Sequence, residues 1–158
     1  MKKISSSVYL ANSILEAAKA KNIKINCVKL NNLIYLVYTD YLYHTQTALF
    51  DEQFSLTHKG PILPSIYFEF NCYGDEEIKN YASDAKGNIY TLHNESLDSI
   101  INYNLDLHGY SYVDELIEIS KRRINSRQYL QDNNMKNYNE KAKVYALQLK
   151  KVESKKRS

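Results

Sequence analysis

The stretch that most restricts the fold is Cys27 to Thr45, CVKLNNLIYLVYTDYLYHT. Asn26 precedes it as a natural N-cap, able to accept from the orphan N–H groups of a first helical turn. Leu30, Leu33, Ile34, Val37, Tyr38 and Tyr41 then hold the three-four spacing of an α-helix. Leu36, Tyr35 and Leu42 widen the apolar arc beyond one stripe, and a helix apolar on most of its sides must be surrounded by neighbours. The sequence thus predicts a mainly α fold with some β structure (α+β), packed around a central apolar helix at about 27–45.

Neighbours with narrower stripes are present on both sides. Val8, Ala11, Ile14, Leu15 and Ala18 mark a helix that Ser5 or Ser6 can cap. Leu97, Ile100, Ile101 and Leu105 mark another, and Val113, Leu116, Ile117 and Ser120 a third after the break at Gly109. Between them, Phe54, Leu56 and His58 alternate with polar residues at the period of a strand, and NIYTL follows the turn residues Lys86-Gly87-Asn88. A small strand pair or hairpin between about 52–58 and 88–92 is predicted. Met135, Tyr138, Ala142, Tyr145, Ala146 and Leu149 predict a last helix, basic on its other faces through Lys136, Lys141, Lys143 and Lys150.

The chain has 158 residues, enough for one domain with a sizeable core. Its net charge of +3 conceals two unlike parts: residues 1–120 carry 9 Lys/Arg against 15 Asp/Glu, and residues 121–158 carry 12 against 3. The predicted organisation is a body at 1–120 and a basic C-terminal helix and tail at 121–158. The longest apolar run, Leu33 to Tyr38, is too short for a bilayer. No secretory h-region opens the chain, and Cys27 and Cys72 form no C-x-x-C pair. These features predict a cytoplasmic protein with free thiols and no membrane partner.

Both prolines fall in HKGPILPSIYFEFNCYG, His58 to Gly74. Gly60-Pro61 forces a non-helical corner, Pro64 suits the first position of a helix, and Ile66, Phe70 and Tyr73 form its stripe before Gly74 ends it. A phosphate cradle there is excluded, since such cradles use successive backbone N–H groups and the two prolines have none. His44, His58, His93 and His108 show no ligand spacing, so neither metal nor cofactor is expected. Cys72, on a helix beside aromatics, is expected in the core. No catalytic constellation rises from the sequence, and the chain is not expected to be an enzyme.

VYLANSILEAAK, VKLNNLIYLVYTDYLY, ALFDEQF and KGPILPSIYFEFNCYG stand in the order and spacing of the landmarks of the Panacea domain, and the chain resembles that family of SocA-like antitoxins and phage-associated proteins. Lys29, Leu30, Leu33 and Tyr35 match its second landmark, Leu49 and Phe50 its third, and Gly60, Pro61, Pro64, Tyr67, Tyr73 and Gly74 its last. The resemblance implies an antitoxin that binds a protein toxin encoded by a neighbouring gene and keeps it inactive. It points to Tyr35, Lys59, Gly60, Pro61, Pro64 and Tyr67 as the toxin-binding groove or its support. The alternative is a nucleic-acid-binding regulator that uses Lys121, Arg122, Arg123 and Arg127. A cognate toxin is the first expected partner, with nucleic acid and a homo-oligomer behind it.

Overall fold

The computed structural model of the chain describes residues 6–126 and 148–152. Its elements run α1 (Ser6–Ala20), α2 (Cys27–Thr45), β1 (Ser55–Thr57), β2 (Gly60–Ile62), α3 (Pro64–Phe70), a 3-10 turn (Asn71–Tyr73), β3 (Ile89–His93), α4 (Glu95–His108), α5 (Val113–Ser126) and β4 (Gln148–Val152). The fold is mainly α, as the patterning predicts, and carries two small antiparallel sheets where one strand pair was expected.

Helix α2 is the centre. Asn26 caps it as expected, its side chain accepting from Lys29 N at 2.9 Å. Between Cys27 and Leu42 only Val28 and Asp40 escape full burial. Leu30, Leu33, Ile34 and Leu36 are wholly enclosed, each contributing about 1.5–3 kcal/mol of apolar burial. Helices α1, α4 and α5 pack around it and supply Ile14, Leu15, Leu97, Ile101 and Leu116 to one continuous core. Helix α5 follows α2 in the same direction, with Ser111 just ahead of it against Lys29 and Arg123 against Thr39 and Asp40.

The predicted strands form, but not with each other. β1 pairs with β2 across His58 and Lys59, in register Ser55↔Ile62, Leu56↔Pro61 and Thr57↔Gly60. A two-residue connection closes with little loss of chain entropy, whereas joining 52–58 to 88–92 would close a loop of some thirty residues. β3 instead pairs with β4, from Ile89↔Val152 to His93↔Gln148. Leu149, predicted in a basic helix, lies in β4. The rest of that predicted helix, from Met135 to Ala146, lies outside the described residues, as does Arg127.

Helix α1 holds β3 through side chains that imitate a strand edge. Asn12 accepts from Ala82 N and donates to Ala82 O and Tyr90 O, all at 2.9–3.0 Å. Ser13 Oγ accepts from Leu92 N at 2.7 Å and faces Leu92 O at 2.8 Å. Both residues are buried, where an unpaired polar group is costly, and these bonds offset that cost.

Candidate protein-binding surface

The hairpin and α3 build a corner over α2. Gly60 has φ +88°, a backbone that side chains disfavour, and a Cβ there would collide with Asn32 Oδ1. Glycine is therefore required twice, by conformation and by the close approach of α2. Asn31 Oδ1 accepts from Leu63 N at 2.9 Å, and Asn32 Nδ2 donates to Lys59 O at 3.1 Å. The two amides pin both ends of β2 to the central helix.

Helix α3 begins at Pro64, as predicted, but its N-cap position holds Leu63, which has no side-chain acceptor. Glu52 fills that role from the preceding loop. Its carboxylate accepts from Ser65 N at 2.9 Å and from the Ser65 and Ser7 hydroxyls at 2.5 and 2.8 Å, which joins α3, α1 and the entry to β1. A negative group here also favours the positive end of α3. At the far end Gly74 takes φ +58° with nothing near its missing Cβ, so it serves the chain reversal alone.

Aromatic packing stiffens the base. Tyr38 stacks on Phe50 with centroids 4.5 Å apart, and Phe54 meets Tyr35 edge-on at 5.3 Å. Cys27 is buried, which pushes its thiol pKa up and makes it a poor nucleophile. Cys72 is exposed, against the expectation that it joins the core, because the 3-10 turn after α3 rotates it outward.

The predicted groove residues separate into support and surface. Tyr35, Gly60 and Pro61 are buried, while Lys59, Pro64 and Tyr67 are exposed. Leu56 and Phe68 join the exposed set at 61% and 74%, beside Tyr67 at 53%, so one corner displays three large apolar side chains and a lysine. The alternation at 54–58 predicts Leu56 on the buried side with Phe54; the strand instead ends its inward packing at Phe54. Of the motif residues, Lys29, Leu30, Leu33 and Phe50 are buried, Tyr73 is half-buried and accepts from Asn80 Nδ2 at 3.3 Å, and Gly74 is exposed.

The basic residues proposed for nucleic acid do not share one role. Arg123 donates to Leu36 O at 3.1 Å, Thr39 Oγ1 at 2.9 Å and Asp40 Oδ1 at 2.9 Å. Asp40 Oδ2 accepts in turn from Asn104 Nδ2, which ties α2, α4 and α5 together. Lys121 Nζ reaches His58 O at 3.3 Å and steadies the hairpin tip. Arg122 is exposed. Burial beside the Arg123 guanidinium also holds His108 below the ordinary histidine pKa.

Sequence reasoning missed Asn31, Asn32, Glu52 and Phe68. Two adjacent amides within an apolar helix were the available signal, since neither can be buried without a partner. Among the described residues no cluster of His, Cys, Asp and Glu suits a metal ion, and no helix is long and apolar enough to cross a membrane. No protein-family model, curated protein or solved structure matches the chain, so the likeness to the Panacea family rests on the sequence landmarks alone.

Proposed function

We propose that this chain is a cytoplasmic antitoxin that neutralises the protein product of a neighbouring gene by direct binding. The observation that carries the reading is the exposed group Leu56, Lys59, Tyr67 and Phe68 on a corner pinned by Asn31, Asn32 and Glu52. Apolar and aromatic side chains on rigid backbone lose little conformational freedom on association, which favours a protein partner. The ordered Panacea-like landmarks include this same corner and support the reading independently.

Expression of the adjacent gene alone should arrest growth, and co-expression with this chain should restore it. Absence of arrest, or arrest that this protein does not relieve, would refute the proposal. Nucleic-acid regulation through the basic region ranks second, because Arg123 is already committed to Asp40 and Lys121 to the hairpin. Equal DNA and RNA binding by a chain ending at residue 120 would remove it.

A further inference from the structure

Lys29 is a buried cation with no ion-pair partner among the described residues. The residue is 8% exposed, and its ammonium donates to Ser111 O at 3.2 Å. That is one acceptor for three N–H donors, and among the described residues no carboxylate forms an ion pair with it. Burial pushes its pKa down. Carboxylates are not scarce in this body, where residues 1–120 hold 15 of them.

Its position adds to the imbalance. Lys29 lies in the first turn of α2, which holds no acidic residue. Helical side chains lean toward the N-terminus, so the ammonium adds to the positive end of the helix dipole instead of opposing it. Such a site is unfavourable for the isolated protein and favourable for an incoming anion. Its covering turn is the other half of the feature. Tyr110 and Tyr112 flank Ser111 and are 71% and 79% exposed, and Tyr110 is steadied by its hydroxyl on Lys21 O at 2.7 Å.

We propose that Lys29 is the cationic floor of a carboxylate-accepting subsite between the start of α2 and the Tyr110–Tyr112 turn, filled by an aspartate or glutamate side chain of a bound protein. The occupant's identity as part of a toxin rests on the function proposed above; the affinity for carboxylate does not. A carboxylate fits better than a phosphate group because it carries one charge and costs less to desolvate.

The test is a titration of the full chain with acetate and with an N-acetyl-glutamate amide, followed through the Lys29 side-chain NMR signals, with chloride at equal ionic strength and inorganic phosphate as separate arms. Both carboxylates should give saturable shifts and raise the Lys29 pKa. The Tyr110 and Tyr112 ring signals should move with it. Lys29→Met should abolish the response and leave the melting temperature unchanged or higher, since it removes an uncompensated buried charge and keeps the stem. A response equal in chloride, a stronger response to phosphate, or no saturable response would overturn the assignment, as would a lower melting temperature for Lys29→Met. If that variant does not fold, the wild-type titration decides alone. No toxin is required, so failure of this subsite and failure of the antitoxin reading are separate results.

Discussion

Two places in this molecule use the same device to different ends. At the α1–β3 junction, Asn12 and Ser13 reach from a helix to pair with the backbone of Ala82, Tyr90 and Leu92. At the hairpin corner, Asn31 and Asn32 reach from α2 to Leu63 and Lys59. The first leaves its amide and hydroxyl enclosed and presents nothing. The second holds a short hairpin whose outer face carries Leu56, Lys59 and, on α3, Tyr67 and Phe68. A helix amide thus serves as scaffold in one case and as the mount of a display surface in the other. The difference is whether the pinned backbone is covered by further chain.

The comparison predicts where substitutions injure folding and where they injure binding. The largest loss should come at the junction. Asn12→Ala strands the buried N–H and C=O of Ala82 and the part-buried C=O of Tyr90, and should lower stability by about 3 kcal/mol, measured by urea denaturation. A loss below about 1 kcal/mol would mean that water replaces the amide and the junction is not a closed scaffold.

Within the corner, Gly60→Ala should cost about 2–3 kcal/mol, because φ +88° and the Asn32 contact both oppose a Cβ. Gly74→Ala should cost about 1 kcal/mol, since only its φ of +58° is at issue. Equal costs would show that Asn32 yields and does not pin the hairpin.

A smaller effect should follow pH. His108 has a folded pKa below its unfolded value of about 6.5, so the unfolded chain binds the extra proton. Its contribution is intact above that value and declines as pH falls from about 6.5 toward the folded pKa. Charging His108 beside Arg123 should loosen α5, which steadies the hairpin through Lys121. Hydrogen exchange should then accelerate at Leu63 N before Leu92 N, and His108→Gln should remove the difference.

The smallest effect on folding should accompany a clear effect on association. Tyr67→Ala and Phe68→Ala should each change stability by less than about 0.5 kcal/mol, being exposed. Each should weaken binding of the proposed partner about tenfold, near 1.4 kcal/mol, measured by calorimetry with the purified product of the neighbouring gene. Unchanged affinity in both would make the corner, like the junction, purely structural.

Much of this architecture was legible in the chain because its causes are local. The three-four spacing from Leu30 to Tyr41 and the Asn26 cap set α2 where the structure has it. Pro64 opens α3, and Gly60-Pro61 stays non-helical as the start of β2, since their backbone preferences act within a residue or two.

Tertiary structure decided the rest. Strand periodicity at 54–58 and 88–92 could not name partners, because pairing depends on which edges the loops and α1 leave open. A run of basic residues read as one surface, yet Arg123 turned inward to Asp40 and Arg122 outward, a split set by which face of α5 meets α2. Lys29 read only as part of a family landmark; the fold shows that Ser111 is its acceptor and that, among the described residues, no carboxylate pairs with it. The sequence determined the elements and their turns, since backbone preference and periodicity are short-range. The structure determined which polar groups are spent on the fold and which remain for a partner, because that depends on contacts between residues dozens of positions apart.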